Sequence, residues 1–249
     1  MKKSLMPIAL ACASITLLPS FSSAENSLHW SYAGHEGPEY WGSLSPEFQT
    51  CQTGKNQSPI DIESAIESDL PELMFLYTNA ATDALNNGHT VQVNFPAGNT
   101  LVIDELTYEL KQFHFHTPSE NKLDGQSFPL EAHFVHADAD GNLAVVAQFF
   151  QEGKANAALT DLLKNVPDET NPTTTLSRAL EAKTLLNTGN DYYRFTGSLT
   201  TPPCTEGVQW LVMKEPMTAS AEQISQLGEA MHQPNNRPTQ PLNDRVVLK

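Results

Sequence analysis

Between Gln112 and His136 the chain reads Gln-Phe-His-Phe-His and, after a gap, Glu-Ala-His-Phe-Val-His. Side chains alternate between faces in an extended segment, so His114 and His116 share one wall while Phe113 and Phe115 point to the other. Glu131 and His133 likewise share a face, opposite Phe134. If the two segments are antiparallel neighbours, His133 completes a triangle of nitrogens. Three imidazoles plus an open position is the donor set of a catalytic zinc, whereas structural zinc is closed by four ligands, often cysteines. Ligating imidazoles need an acceptor behind them to fix the tautomer, and Gln112 and Glu131 stand where they could supply it. The plain alternative is a set of ordinary polar positions on half-buried strands. His136 has the opposite parity to His133 and reads as structural.

The elements that must position these residues are mostly strands. Short apolar runs bounded by turn signals cover Glu72–Asn79, Val91–Phe95, Leu101–Ile103, Tyr108–His116, Glu131–Ala137, Leu143–Gln151, Tyr192–Thr196 and Gly207–Met213. Asn87-Gly88 and Asp140-Gly141 are strong turn dipeptides between such runs. Helical spacing predicts Ala155–Lys164, stopped by Pro167, and Ser220–Met231, opened by the capping-box pair Ser220 and Gln223. Ser177–Leu186 is a weaker helical candidate. Residues 28–50, rich in Gly, Pro and aromatics, read as an irregular segment packed over the sheet. In Gly197-Ser-Leu-Thr-Thr-Pro-Pro203 two prolines stiffen the backbone, so a hydroxyl carried there keeps its place. With no repeats and no Gly/Ser linker, the chain reads as one domain.

The chain has 249 residues, enough for a sizeable core. Met1-Lys-Lys, the apolar run Leu5–Leu18 and Ser22-Ser-Ala24 form a secretory signal peptide over residues 1–24, leaving a mature domain over 25–249. The apolar run is shorter than the roughly 20 residues that span a bilayer. The expected location is periplasmic or secreted. Against 29 acidic residues the mature chain keeps 12 basic ones (14 less Lys2 and Lys3), a net charge of −17. Such a surface disfavours nucleic acid and anionic lipid as partners and says little about a small neutral substrate. Cleavage removes Cys12, and the remaining Cys51 and Cys204 suggest one disulfide in an oxidising compartment, with two buried thiols as the plain alternative.

Taken together, His-Phe-His, the Glu-x-His strand and Ser-Leu-Thr-Thr-Pro-Pro resemble the alpha class of carbonic anhydrases. The resemblance extends over Gly37-Pro-Glu-Tyr-Trp41, Gln57-Ser-Pro-Ile-Asp-Ile62, Asn86-Asn-Gly-His89, Lys214-Glu-Pro216 and Asn236-Arg-Pro-Thr-Gln-Pro-Leu242, nearly the whole mature chain. It implies a mainly β domain whose central twisted, mostly antiparallel sheet has about ten strands, with a few short peripheral helices. It implies that His114, His116 and His133 bind Zn2+, with Gln112 and Glu131 behind His114 and His133. Thr200 would be the gatekeeper hydroxyl bonded to Glu120, and His89 the proton shuttle. Tyr32, Asn87 and Thr201 would order its waters, while Val135, Val145, Leu199 and Trp210 would form the apolar wall for carbon dioxide. Cys51 and Cys204 match the disulfide of secreted and bacterial members. The implied reaction is the reversible hydration of carbon dioxide to bicarbonate and a proton by attack of zinc-bound hydroxide. A homodimer is left open.

Two departures stand out. His116 is followed by Thr-Pro, as in bacterial members, and Asn121 occupies a position where many members carry His, a change expected to alter how Glu120 is held. Two rivals differ in class. His114-x-His116-x-x-x-Glu120 has the spacing of a cupin oxygenase motif, yet Tyr108 stands where that motif wants Gly. A zinc-binding or catalytically inactive carbonic-anhydrase-like protein would bind without turning over; such relatives usually lose a ligand histidine, and all three are present here.

Overall fold

The computed structural model describes residues 29–167, 173–232 and 234–249, so the leader expected at 1–24 lies outside the described residues. The strands are β1 (Asp61–Ile62), β2 (Met74–Leu76), β3 (Ala81–Asn86), β4 (Val91–Asn94), β5 (Thr100–Ile103), β6 (Leu106–His116), β7 (Lys122–Leu123), β8 (Leu130–Ala137), β9 (Leu143–Glu152), β10 (Thr173–Leu180), β11 (Tyr192–Ser198), β12 (Glu206–Met213) and β13 (Met217–Ala219). The α-helices are α1 (Trp41–Leu44), α2 (Thr50–Thr53), α3 (Ala157–Leu163) and α4 (Ala221–Ala230). An 11-stranded sheet runs β10-β3-β4-β6-β8-β9-β12-β11, with β5 also on β6, β2 on β5 and β13 on β9. All its pairings are antiparallel except β9 with β12 and with β13. The fold class expected from the sequence is the one observed.

Two adjacent central strands, β6 and β8, carry the histidines, and a bulge decides where they point. Leu110 faces His136 but Gln112 faces Val135, so Lys111 is an extra residue in β6. Before it, Tyr108 and Leu110 are the buried positions; after it, Phe113 and Phe115 are. The bulge thus switches parity within one strand, turning both phenylalanines into the core and His114 and His116 to the opposite face. Behind the sheet Phe113 packs on Phe115 and Phe134, with ring centroids 5.3 and 5.2 Å apart. Leu159 and Leu162 of α3, together with Leu227 and Met231 in and just after α4, close this side. Fully burying side chains of this size is worth about 1.5–3 kcal/mol each, so the histidine-bearing strands sit on the most heavily anchored part of the molecule.

Both turn dipeptides close hairpins, β3–β4 at Asn87-Gly88 and β8–β9 at Asp140-Gly141. Gly88 and Gly141 have φ of 82° and 87°, a conformation that glycine adopts without steric penalty. Asn156 caps α3 by accepting from the N–H groups of Ala158 and Leu159, and the capping box of α4 is formed as expected. The helix expected over Ser177–Leu186 is instead the end of β10 followed by a 3-10 turn at Ala182–Leu185. The preceding Thr173-Thr-Thr run favours extended backbone, and pairing of Thr173–Thr175 with Asp83–Leu85 of β3 outweighs the weak helical period. Strand β3 itself, Ala-Thr-Asp-Ala-Leu-Asn, has little strand propensity and forms because β4 and β10 hold it on both sides. Among the described residues no helix is long and apolar enough to cross a membrane.

His136 is structural, as its parity implied. It is fully buried, its Nδ1 lies 3.3 Å from the Ala144 carbonyl oxygen, and its Nε2 lies 2.6 Å from the Tyr77 hydroxyl. The neutral ring satisfies both when Nδ1–H donates to the carbonyl and Nε2 accepts from the tyrosine. Burial therefore pushes its pKa down to about 4 from 6.5. A folded-state pKa below the unfolded one means that stability is intact above pH 6.5 and drains as pH falls towards 4, by at most about 3 kcal/mol in all. The expected outcome is that His136→Gln flattens the pH dependence of denaturant midpoints across that window relative to the parent; parallel curves would show that His136 does not titrate on unfolding.

Candidate metal centre and its cavity

The register brings the three histidines together. His114 is the direct cross-strand partner of His133, and His116 pairs with Glu131. One nitrogen from each of His114, His116 and His133 lies within 4.8 Å of the others, and no other three-donor group occurs among the described residues. Each ring is held from behind by a different acceptor. The Gln112 amide oxygen lies 2.9 Å from His114 Nδ1, and the Asn235 main-chain carbonyl 2.8 Å from His116 Nδ1. Glu131 Oε1 stands 3.1 Å from His133 Nε2, close but not aligned to a full hydrogen bond. A carbonyl or carboxylate can only accept, so the proton sits on that nitrogen and the lone pair on the other. The free lone pairs are then Nε2 of His114 and His116 and Nδ1 of His133, all turned inward.

Burial holds all three imidazoles below their ordinary pKa, and neighbouring histidine charges push His114 and His133 lower still. Neutral rings with inward lone pairs are what a divalent cation requires. His116 Nε2 is buried and has no hydrogen-bond partner, which elsewhere would cost about 1–3 kcal/mol. The residues present therefore fit a three-nitrogen metal site. An uncharged donor set leaves the +2 charge of the cation unreduced, unlike thiolates.

Two buried carboxylates flank the rings. Glu131 Oε2 accepts from the N–H groups of Glu120 (2.6 Å) and Asn121 (3.0 Å), and its Oε1 accepts from the Asn121 side-chain amide (2.8 Å). Burial still lifts its pKa to about 7. Asn121, whose replacement of a family histidine was expected to affect Glu120, thus acts on Glu131: its amide is close enough to reach that carboxylate and its oxygen accepts from Ile60 N–H (3.2 Å). Glu120 Oε1 accepts from Arg237 N–H (2.8 Å), while Oε2 lies 3.5 Å from His116 Nε2. Burial pushes the Glu120 carboxyl up to about 8, against the Arg237 N–H and the Thr200 hydroxyl, both of which pull it down by hydrogen bonding.

Arg237 is the functional neighbour that sequence reasoning missed. Its guanidinium, 2% exposed, donates to Gln57 Oε1 and to the Ser58 and Cys51 carbonyls at 2.8–2.9 Å and lies over the Trp41 ring. Its segment had been noticed, but no spacing rule links residue 237 to Glu120. The Asn235 carbonyl was missed for a deeper reason, since a main-chain acceptor has no residue-type signature.

Val135, Val145, Leu199 and Trp210 fall in one apolar cluster beside the rings. Val135 pairs with Val145 and Val145 with Trp210, so one cross-strand row supplies most of this wall. Trp210 meets His133 edge-on at 4.9 Å and donates Nε1–H to the Ser198 carbonyl. Gly197 is required here, because a Cβ would come within 2.1 Å of Ser58 Oγ and 2.9 Å of the Trp210 ring. His89 is half-buried and stacks on Trp30 with centroids 3.8 Å apart. Tyr32 meets His89 and Trp41 edge-on, and burial together with the Glu120 charge holds its hydroxyl well above the usual pKa. Asn87 Oδ1 is engaged by the N–H groups of His89 and Thr90, which locks the turn. His89 itself is held below its ordinary pKa by partial burial and by His29.

The loop carrying Thr200 and Thr201 is closed by Leu199 N–H to Thr205 O and Cys204 N–H to Thr201 O. A disulfide joins Cys204 to Cys51 across 153 residues, and the Gln57 amide donates to the Cys204 carbonyl. The bridge therefore ties α2 to the threonine loop.

The family model described as eukaryotic-type carbonic anhydrase matches residues 36–249. A carbonic anhydrase of Pectobacterium atrosepticum is 50% identical over 227 residues, 91% of this chain and 93% of that one. The solved alpha-carbonic anhydrase of Photobacterium profundum superposes with a TM-score of 0.84 at 50% identity, covering 89% of this chain and all of that one. The alpha-carbonic anhydrase of Thermovibrio ammonificans, solved with the inhibitor sulfanilamide, gives 0.87 at 46% identity over 89% and 99%.

Replacing both cysteines (C51S/C204S) is expected to lower unfolding stability by about 2–5 kcal/mol, because the bridge closes a long loop of the unfolded chain. Chemical denaturation of the oxidised parent and the double variant checks this; equal midpoints would show that hydrogen bonds alone hold the loop.

Proposed function

Because the chain belongs to the eukaryotic-type, or alpha, carbonic anhydrase family, and is an enzyme of that family, we propose that it hydrates carbon dioxide reversibly at a zinc ion held by His114, His116 and His133. The observation that carries this reading is the set of three neutral imidazoles, each with its tautomer fixed from behind and its lone pair turned to a common point. Zinc bound there would acidify a coordinated water towards pKa 7, a magnitude known for carbonic anhydrases in general and not obtained from this structure.

The chain's own residues do the rest. Glu120, tied by Arg237 N–H, accepts a hydrogen bond from the Thr200 hydroxyl, so the Thr200 oxygen is left to accept from the attacking oxygen and to orient its lone pair. Val135, Val145, Leu199 and Trp210 offer carbon dioxide a surface without hydrogen bonds, so the linear, apolar molecule competes with water for that place and the charged product does not stay. Thr201 borders the same space. A proton must leave for each turnover, and an imidazole at the rim is the side chain whose pKa suits the transfer near neutrality. We assign that role to His89, with Tyr32 and Asn87 as the residues that order its waters. Gln112 and Glu131 keep the ligand rings in place, as outer hydrogen-bond partners of a metal commonly do.

The substrate class follows as carbon dioxide and bicarbonate, and the acidic surface speaks against nucleic acid and membrane partners. We assign residues 1–24 to a signal peptide and the enzyme to the periplasm or the exterior, supported by the leader's pattern and by the disulfide. A second copy as partner stays an open part of the reading. The rival of a binding protein without turnover is separated by one experiment. Purified protein is expected to hold one zinc per chain, to lose carbon dioxide hydration on treatment with a chelator, and to regain it with zinc alone. Zinc-loaded protein that does not hydrate carbon dioxide would sink the enzymatic reading and leave the binding one.

His89→Ala is expected to lower turnover by about 100-fold or more in dilute buffer and to recover with added imidazole, since one proton-transfer group is removed. Unchanged turnover in dilute buffer would remove His89 from the pathway.

A further inference from the structure

Asn235 was not singled out by the sequence, and it uses all of its hydrogen-bonding groups. It is 1% exposed. Its carbonyl oxygen accepts from His116 Nδ1–H (2.8 Å), and its main-chain N–H donates to the Thr117 carbonyl (3.4 Å). Its Oδ1 accepts from Thr117 N–H (2.8 Å). The two amide protons go to the carbonyls of Phe115 (2.9 Å) and His89 (3.0 Å).

These partners belong to two parts of the site that have separate jobs. Phe115 lies between the ligand positions His114 and His116, whereas His89 is the imidazole on the Asn87–Thr90 turn. The Thr90 hydroxyl makes a second link between them, donating to the Phe115 carbonyl (2.6 Å) and accepting from its N–H (3.2 Å). No other side chain of this size donates to two carbonyls while accepting an N–H. Aspartate has the shape without the donors, and leucine has neither.

We propose that Asn235 is a positioning residue for proton release, fixing the His116 ring through its carbonyl and the His89 turn through its amide, so that relay and metal ligand keep one mutual distance. The proposal rests on the zinc-hydration reading above. Transfer between fixed groups is steeply sensitive to placement, and a displacement of about 1 Å can cost about 100-fold. A loosened His89 turn slows the proton step, which turnover reports, while leaving the carbon dioxide step, which kcat/KM reports, nearly untouched.

Two variants test this in the zinc-loaded enzyme. Asn235→Ala removes the amide. Asn235→Asp keeps its volume and the acceptor for Thr117 N–H while withdrawing the donors to Phe115 and His89, and it carries the test if the alanine variant fails to fold. The expected result in dilute buffer is a fall in kcat of about ten-fold with kcat/KM within about two-fold, restored by imidazole. A second readout does not depend on activity: zinc transfer to a chelator should quicken about ten-fold, because the main-chain carbonyl that holds the His116 ring loses the side-chain bonds that fix its own position. Equal losses in kcat and kcat/KM, or unchanged kcat in a folded variant, would overturn the proposal and leave Asn235 a packing residue. A parent enzyme that holds zinc without hydrating carbon dioxide would count against the functional reading instead, and zinc release would still report the hold of Asn235 on His116.

Discussion

Everything at this site depends on hydrogen bonds made on the far side of the histidine rings. An imidazole has two nitrogens and, when neutral, one proton, so an acceptor behind the ring decides which nitrogen faces the cavity with a lone pair. Gln112 and the Asn235 carbonyl make that decision through hydrogen bonds, and Glu131 through a carboxylate oxygen 3.1 Å from His133 Nε2. Without them the inward nitrogens would carry protons in some fraction of molecules, and a cation would meet N–H groups. The cost is burial of two carboxylates and an arginine beside the rings. Glu131 is offset by three N–H donors, and Arg237 by three carbonyl-type acceptors and an aromatic face.

Register turns these local bonds into a site. His114 opposite His133 and His116 opposite Glu131 is one pairing out of several that β6 and β8 could adopt, and a one-residue slip would send His133 into the core. The core prevents that slip. Phe113, Phe115 and Phe134 interlock behind the sheet, and the bulge at Lys111 reconciles their parity with that of Tyr108 and Leu110. The registers of β8 with β9 and of β9 with β12 lay Val135, Val145 and Trp210 in a row, so β8 contributes both to the histidine cluster and to the apolar wall beside it.

The remaining parts are loops made rigid by contacts from distant segments. The Thr200 loop is tied to α2 by Cys51–Cys204 and to the Ser58 segment by reciprocal Ser58–Ser198 hydrogen bonds. Arg237 joins the Cys51–Ser58 stretch to Glu120, both more than a hundred residues away along the chain. A hydroxyl that must present its oxygen in one direction gains from such anchoring, because little freedom remains to be lost when a reacting group arrives.

Much of this was legible in the amino-acid order alone. Two-residue periodicity placed His114 with His116 and Glu131 with His133, turn dipeptides marked the β3–β4 and β8–β9 hairpins, and two cysteines left a single pairing. Those inferences succeed because alternation and turn chemistry act over a few neighbouring residues. Tertiary structure decided what depends on contacts across the chain: strand formation in the weakly disposed β3 and β10, the bulge that reverses parity in β6, the partnership of Asn121 with Glu131, and the parts of Arg237 and Asn235. A main-chain carbonyl is the same in every residue, and the partners of Arg237 and Asn235 are set by the packing of segments more than a hundred residues apart, so no local pattern could have announced them.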